Sequence, residues 1–287
     1  MTAWRDLPFA DRVLRPVLPA ADVSELAAVP VPGAEALLGE HPAWSVAHDG
    51  LIWVDIEAGL VHHTTRDGRT TTVWKSTGMI GAALPTVAGE LLILASEGAL
   101  KLAADAATPT AVAGGPAAGS RFNDAALDPS GRVWAGVMPL EETTEPTGEL
   151  WRLDQAGEWQ VVLTGMGCPN GIAWSADGRT MLFCESDTRR LALADYDPIT
   201  GEASNWRIGW EFAGSGDWVP DGLELAADGH LWVAFWGLST AVRFSPDGRA
   251  ELAVRTEDAR TTSITTDPLG DLWVTSASGL SVVHTAR

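Results

Sequence analysis

The sequence predicts an all-β fold, a six-bladed β-propeller, and two observations support this prediction. The first is a repeated unit: an apolar strand, a turn with glycine and an acid or serine, a second strand ending in small residues, and a third strand. The second strands align on Trp53, Leu92, Trp134, Leu182, Trp232 and Trp273. Their spacing of roughly 40–50 residues is typical of propeller blades. The second observation is that helix signals are nearly absent, so the six copies predict six blades.

The two ends of the chain are expected to meet in the last blade. Residues 29–38 read as a strand that completes this blade, because the chain ends soon after Val282 and Val283. Joining the first and last segments in one sheet removes exposed edges. About residues 1–25 fit no blade and are expected to form an N-terminal extension outside the blades, and the best helix signal covers residues 23–28, with Asp22 as its cap. No linker rich in glycine, proline or serine divides the chain, so residues 1–287 read as a single domain.

The composition excludes several classes of function. Hydrophobic residues make up 46% of the chain and charged residues 20%, which favours a packed core over a disordered chain. A formal net charge of −19 repels phosphate backbones, so no nucleic-acid partner is expected. No membrane partner is expected either, because no run of about 18 apolar residues is present. Charged residues such as Arg5, Asp6 and Arg12 interrupt any secretion signal.

The cysteine content indicates a reducing compartment. The chain has two cysteines, Cys168 and Cys184, which form no disulfide framework and no CxxC pair. We therefore expect a cytoplasmic protein. Its expected assembly is a monomer or a small homo-oligomer.

One stretch, residues 121–138, combines an arginine with an asparagine at the start of a strand. Arg121 and Asn123 are two residues apart, so on an extended strand both side chains point to the same side. Arginine supplies a rigid fork of donors, and asparagine supplies a donor and an acceptor. Together they could grip a polyhydroxylated or anionic small molecule. The alternative is an arginine at a strand end beside a turn-forming Asn-Asp pair.

Polar residues precede the first strand of four units, at the same phase of the repeat. The segments are residues 38–44, 121–124, 168–174 and 219–223. In a propeller, the segments before the innermost strands line the mouth of the central channel, so their polar side chains converge. Glu40, Asn170 and Asp221 would then offer three oxygen ligands, which suit hard divalent cations such as Ca²⁺, Mg²⁺ or Mn²⁺. The alternative is that Asn-Gly and Asp-Gly are plain turn signals.

Taken together, these motifs resemble the SMP-30/gluconolactonase/regucalcin-like family over about residues 35–280. The ordered set comprises Gly39-Glu40-x-Pro42-x-Trp44, residues 51–56 (LIWVDI), residues 121–138, Asn170-Gly171, Pro220-Asp221-Gly222 and residues 231–237 (LWVAFWG). The resemblance implies a six-bladed propeller that binds one divalent cation and hydrolyses a sugar (aldono-) lactone to the sugar acid. The implied cation is Ca²⁺, with Zn²⁺, Mn²⁺, Mg²⁺ and Fe²⁺ as alternatives.

The resemblance also implies roles for individual residues. Glu40, Asn170 and Asp221 would be the metal ligands, and Arg121 and Asn123 would bind the substrate. An acid after the third-blade segment 136–138 would also reach the substrate; Glu141 fits best, with Glu142 as the alternative. Asp221 would also be catalytic, as the proton acceptor of the attacking water, because a carboxylate beside the metal can hold that water.

The chain departs from the family pattern at two places in the channel. His41 stands where the family has a small residue, so it would narrow the site or add a donor. We expect an outward-facing loop histidine there rather than a metal ligand. Residues 261–265 (TTSIT) replace the family's usual segment before the last blade. This replacement leaves open how the ring closes.

Two other functions remain open from the sequence. One is a non-catalytic calcium-binding or interaction propeller, in which the cation only braces the channel. The other is a metal-dependent esterase that acts on a non-sugar ester, such as an organophosphate or an aryl ester. An apolar mouth containing Trp210, Trp218 and Trp236 would favour the esterase.

Overall fold

The computed structural model describes residues 2–20, 23–141 and 143–285. Four strands precede the first blade: β1 (Thr2–Ala3), β2 (Phe9–Leu14), β3 (Ser24–Ala27) and β4 (Val29–Glu35). A single 3₁₀ turn, Trp4–Asp6, follows β1. Within the described ranges, no helix is long and apolar enough to cross a membrane.

The strands after β4 form the blades in chain order. Blade 1 contains β5 (Gly39–Ser45), β6 (Gly50–Asp55), β7 (Leu60–Thr65) and β8 (Thr70–Lys75). Blade 2 contains β9 (Ile80–Pro85), β10 (Leu91–Ala95), β11 (Gly98–Leu102) and β12 (Thr110–Ala113). Blade 3 contains β13 (Ser120–Leu127), β14 (Val133–Pro139), β15 (Gly148–Leu153) and β16 (Trp159–Met166).

The second half of the ring follows the same plan. Blade 4 contains β17 (Pro169–Trp174), β18 (Thr180–Glu185), β19 (Arg190–Asp197) and β20 (Glu202–Glu211). Blade 5 contains β21 (Val219–Leu225), β22 (Leu231–Trp236), β23 (Thr240–Phe244) and β24 (Ala250–Arg255). Blade 6 contains β25 (Thr261–Thr266), β26 (Leu272–Ser276) and β27 (Gly279–Val283), and β4 is its outer strand.

The architecture is a six-bladed β-propeller, as the sequence predicts. The four strands named for each blade form an antiparallel sheet. All six aligned positions of the repeat lie on second strands. Trp53, Trp134 and Trp273 at these positions are fully buried, and the indole of Trp53 donates to Thr64 Oγ1 at 2.9 Å. These large side chains fill the space between neighbouring blades while their N–H groups keep a partner.

The ring is closed in two ways. Strand β4 pairs antiparallel with β27, which confirms the prediction that residues 29–38 complete the last blade. On the inner side, Thr262 Oγ1 donates to the carbonyl of Gly39 at 2.7 Å, joining blade 6 to blade 1. The threonine-rich segment of blade 6 therefore links the first and last inner strands.

The N-terminal region differs from the prediction. Strands β1, β2 and β3 pair parallel with β16, β20 and β24, so each adds a fifth strand to the outer edge of a blade. Residues that seemed to lie outside the blades thus cover three of their edges. The helix expected over residues 23–28 is wrong, because Ser24–Ala27 is a strand whose pairing with β24 overrides a weak local helix preference. Asp22, its expected cap, lies outside the described residues.

Candidate active site

Four of the predicted site residues lie at β-bulges on the innermost strands of four blades. The ladder register shifts after Glu40 in β5, after Phe122 in β13, after Pro169 in β17 and after Pro220 in β21. A bulge leaves a residue unpaired and re-aims its side chain. Glu40, Asn123, Asn170 and Asp221 thus sit at equivalent irregularities around the central channel.

Glycines next to these residues allow the inner strands to approach closely. A Cβ atom on Gly171 would lie 2.6 Å from Leu223 Cγ, and one on Gly222 would lie 2.2 Å from Ser263 Oγ. Both glycines lie inside strands β17 and β21 rather than in hairpin turns. The Asn-Gly and Asp-Gly pairs therefore mark close packing at the channel, and the interpretation as plain turn signals is wrong.

The three predicted metal ligands are buried, with exposed fractions of 7% for Glu40, 4% for Asn170 and 5% for Asp221. Asn170 Nδ2 donates to Ser186 Oγ at 3.3 Å, which fixes the direction of the amide. Among the described residues, Asn170 Oδ1 and Asp221 Oδ1 have no hydrogen-bond partner although they are buried. Unpartnered buried oxygens are costly unless something binds them, so this donor set fits a hard cation.

The electrostatics of the two carboxyls agree with this fit. Burial raises the pKa of Glu40 to about 8, and the charge of Asp124 adds to the effect against the opposing influence of His41 N–H and Arg121. The pKa of Asp221 is also raised well above its usual value. Burial is the largest cause, and the negative charges of Glu40 and Asp124 are the next largest. Within the described ranges, no group of three His, Cys, Asp or Glu residues is arranged to hold a metal. A cation here would therefore need the amide oxygen of Asn170.

The two predicted substrate-binding residues of β13 contact each other. Arg121 Nη1 donates to Asn123 Oδ1 at 2.6 Å and to the carbonyl of Phe122 at 3.0 Å. Asn123 Nδ2 donates to the carbonyl of Pro169 on the neighbouring blade at 2.9 Å. Both polar atoms of the Asn123 side chain are thus hydrogen-bonded to the protein. The guanidinium of Arg121 has further N–H donors that these two hydrogen bonds do not use.

Glu141 lies exposed on the loop after β14. It lines a cavity of about 630 Å³, with Met138, Cys168, Glu185 and Thr188. Cys168 precedes Asn170 by two residues, so this cavity adjoins the start of β17. Glu142, the alternative acid, lies outside the described residues.

His41 does not face outward, contrary to expectation. Its side chain is only 12% exposed, and its Nδ1 lies 2.8 Å from Asp124 Oδ1. The backbone of His41 adopts a left-handed φ of 50° within the bulge, which turns the side chain inward. Asp124 engages Nδ1, and the other ring nitrogen, Nε2, is buried and has no hydrogen-bond partner among the described residues.

Sequence reasoning missed two buried carboxylates that fix the segments leading into the site. Asp55 accepts hydrogen bonds from the backbone N–H of Leu37 at 2.8 Å and of Leu38 at 3.2 Å, just before Glu40. Glu185 accepts from the backbone N–H of Cys168 at 3.1 Å, just before Asn170. Both acids end the second strand of their blade. An acid at that phase of the repeat is the signal that could have identified them.

Comparison with known proteins agrees with the architecture and with the sequence motifs. Residues 38–278 match the model of the SMP-30/Gluconolactonase/LRE-like region. The pentonolactonase XacC of Haloferax volcanii is 31% identical over 246 residues, covering 84% of this chain and 82% of its own. The L-arabinolactonase of Azospirillum brasilense is 33% identical over 251 residues, covering 85% and 82%.

A solved structure shows the same fold. The crystal structure of a calcium-binding protein, regucalcin, from Agrobacterium tumefaciens superimposes with a TM-score of 0.83. It is 24% identical and covers 91% of this chain and 94% of its own. With the family model matched over most of the sequence, the chain belongs to the SMP-30/gluconolactonase/LRE-like family.

Proposed function

We propose that this protein is a sugar lactonase that opens an aldono-lactone to the sugar acid with one divalent cation. The observation that carries the proposal is the pair of buried oxygens of Asn170 and Asp221, which have no hydrogen-bond partner within the described ranges; the charge of the buried Glu40 carboxyl acts on Asp221. Two relatives named for the hydrolysis of sugar lactones support the substrate class.

Glu40, Asn170 and Asp221 would hold the cation. Two carboxylates and an amide oxygen favour Ca²⁺, and the neighbour described as a calcium-binding protein supports this choice over Zn²⁺, Mn²⁺, Mg²⁺ or Fe²⁺. When bound, the cation supplies Lewis-acid polarisation of the lactone carbonyl.

Asp221 would accept the proton of the attacking water. A carboxylate has about four acceptor positions, so Asp221 could hold the cation and still accept a hydrogen bond from that water. Without a cation, burial and the neighbouring carboxyls raise the pKa of Asp221. A nearby positive charge would keep the carboxylate ionised.

The remaining residues would position the sugar. Arg121 would donate to substrate oxygens, and Asn123 would hold the guanidinium in place through their 2.6 Å hydrogen bond. Glu141, exposed on the wall of the adjoining cavity, would accept hydrogen bonds from sugar hydroxyls. In the reaction the acyl–oxygen bond of the ring breaks, hydroxide from water joins the acyl carbon, and the ring oxygen leaves as a hydroxyl.

Two of the three tryptophans named for an esterase are buried, and the third, Trp236, is partly exposed with the guanidinium of Arg260 5.8 Å from its ring centroid. Trp210 and Trp218 are buried in the core at 6% and 2% exposure, where they pack with Phe235 and Phe244. They are therefore not available to form an apolar lining at the mouth. Both cysteines are free, which supports a cytoplasmic setting.

The test is a hydrolysis assay with metal-depleted protein. Aldono-lactones of five and six carbons and an aryl ester are offered before and after addition of each single cation. We expect lactone opening that depends on the cation and is strongest with Ca²⁺, with little turnover of the aryl ester. A protein that binds Ca²⁺ but opens no lactone would be a non-catalytic propeller, and turnover of the aryl ester alone would indicate an esterase.

A further inference from the structure

One contact crosses the channel between blades that are not neighbours in the ring. His41 Nδ1 on blade 1 lies 2.8 Å from Asp124 Oδ1 on blade 3. The two side chains are 12% and 11% exposed. A carboxylate oxygen accepts hydrogen bonds, so Nδ1 is the donor. A Cβ atom on Gly81, at the bulge of blade 2, would lie 2.5 Å from the carbonyl oxygen of Asn123, so this glycine lets the inner strand of blade 3 approach closely.

His41 contacts the predicted metal site through its backbone as well. Its N–H donates to Glu40 Oε2 at 2.9 Å, so one residue holds the carboxyl of Glu40 with its main chain and that of Asp124 with its side chain. A left-handed φ of 50° at His41 makes both contacts compatible.

Asp124 is a third carboxylate at this site. It follows Asn123 directly, and its negative charge reaches the carboxyls of both Glu40 and Asp221. Its Oδ1 accepts hydrogen bonds from His41 Nδ1 and from the backbone N–H of Ala125, the latter at 2.8 Å. Within the described ranges, Asp124 does not converge with Glu40 and Asp221 into a set of three acidic ligands.

We infer that His41 is a positioning residue that holds Asp124 outside the metal-ligand set. This inference rests on the proposed function, since it concerns the cation of that site. A third carboxylate ligand would bind the cation more tightly, because ligand charge sets affinity. It would also take a coordination position that water or the lactone needs, and would reduce the polarising power of the cation.

Two substitutions of His41 distinguish the effect of its Nδ1 contact from the effects of its left-handed backbone and its Nε2. Glycine accepts the left-handed backbone and has no side chain, so His41→Gly removes the imidazole contact of Asp124 and keeps the one from the Ala125 N–H. Asparagine also tolerates this backbone, and its Nδ2 occupies nearly the position of the imidazole Nδ1. His41→Asn is therefore the conservative variant, which retains the donor to Asp124 and lacks Nε2. The double variant with Asp124→Asn removes the released carboxylate.

The measurements are the Ca²⁺ affinity of metal-depleted protein by calorimetry, and kcat and KM for lactone opening. For His41→Gly we expect Ca²⁺ binding tighter by roughly tenfold and kcat lower by at least about tenfold. His41→Asn should restore both quantities toward those of the parent protein. Adding Asp124→Asn to His41→Gly should remove the gain in affinity. Thermal unfolding of each variant shows that it is folded.

Two results would overturn the inference. One is an unchanged or weaker Ca²⁺ affinity in His41→Gly, and the other is a His41→Asn variant that behaves like His41→Gly. If the parent protein itself binds no divalent cation in the calorimeter, the proposed function fails and the inference fails with it. If the parent protein binds Ca²⁺ and opens lactones while the variants do not differ, only the inference fails.

Discussion

The guanidinium of Arg121 donates to the amide oxygen of Asn123 at 2.6 Å, and Asn123 is in turn tied to the carbonyl of Pro169 at 2.9 Å. Pro169 precedes Asn170, so this short chain of hydrogen bonds connects the predicted substrate side of the site to its metal side. Asn123 is thereby a positioning residue for Arg121.

Replacement of Asn123 by alanine should misplace Arg121. The change leaves the buried carbonyl of Pro169 and part of the guanidinium without partners, which costs about 1–3 kcal/mol. We expect kcat/KM for a lactone to fall by roughly tenfold to a hundredfold, mainly through KM. Asn205→Gly is the control, because Asn205 is exposed and its φ of 50° suits glycine. A matching loss in the control, or none in Asn123→Ala, would contradict this role.

Glu185 should matter for stability although it is not one of the predicted metal ligands. It is 0% exposed and accepts hydrogen bonds from the N–H groups of Gly167, Cys168 and Thr188 at 3.0, 3.1 and 2.8 Å. Glutamine would place an amide donor among these donors. We expect Glu185→Gln to lower the free energy of unfolding in urea by about 2–4 kcal/mol.

Glu202→Gln is the matched control for Glu185→Gln. Glu202 is 66% exposed and pairs with Arg152 at the surface, so its replacement should change the free energy of unfolding by less than about 1 kcal/mol. Equal losses in the two variants would mean that the hydrogen bonds of Glu185 to the segment before Asn170 do not contribute to the free energy of unfolding.

Ring closure depends in part on one hydroxyl. Thr262 is fully buried, and its Oγ1 bonds the carbonyl of Gly39 at 2.7 Å and Thr275 Oγ1 at 2.9 Å. Thr262→Val keeps the shape but leaves these partners unsatisfied, so the free energy of unfolding should fall by about 1–3 kcal/mol. The control is Thr71→Val on the exposed outer strand of blade 1, which should change the free energy of unfolding little. A stable Thr262→Val variant would show that pairing of β4 with β27 closes the ring alone.

Asp258 should make part of the stability depend on pH. Burial alone would raise its pKa, but hydrogen bonds from Arg260 and from Ser278 N–H, with the charge of Arg260, lower it from 3.8 to about 2. A carboxyl with a lowered pKa stabilises the fold above about pH 4, and this contribution is lost as the pH falls toward 2. After allowance for solvent screening it amounts to about 1 kcal/mol.

The variant Asp258→Asn tests this pH dependence. Its deficit in the free energy of unfolding should be largest at neutral pH and should shrink as the pH falls below about 4. Urea unfolding of both proteins between neutral and acidic pH gives the comparison. A deficit that stays constant over this range would show that the carboxylate charge of Asp258 is not the cause.

The sequence predicted the blades well because the repeat is local. Trp53, Trp134 and Trp273 recur at one phase of a strand pattern, and each unit forms its own sheet. The N-terminal strands escaped prediction because their partners are far away in the chain: Ser24 pairs with Leu252. Such pairing leaves no periodic pattern in a segment of only a few residues.

The sequence predicted which residue types form the candidate site, but not the direction of every side chain or the hydrogen bonds that hold the site. Glu40, Asn170 and Asp221 stand at one phase of the repeat, so their approach to one channel follows from the propeller. The direction of His41 did not follow, because its partner Asp124 lies on another blade and the bulge sets the backbone angle. Hydrogen bonds to the backbone, such as those of Glu185, likewise depend on how the chain closes.

The most direct test of lactone hydrolysis with Asp221 as the proton acceptor is lactone opening by Asp221→Asn in the presence of saturating Ca²⁺. Asp217→Asn is the matched control, since Asp217 is an exposed aspartate four residues earlier on the loop that leads into β21. We expect the control to match the parent protein and Asp221→Asn to lose roughly a hundredfold or more of kcat/KM. Lactone hydrolysis by Asp221→Asn at the rate of the parent protein would contradict a catalytic role for Asp221.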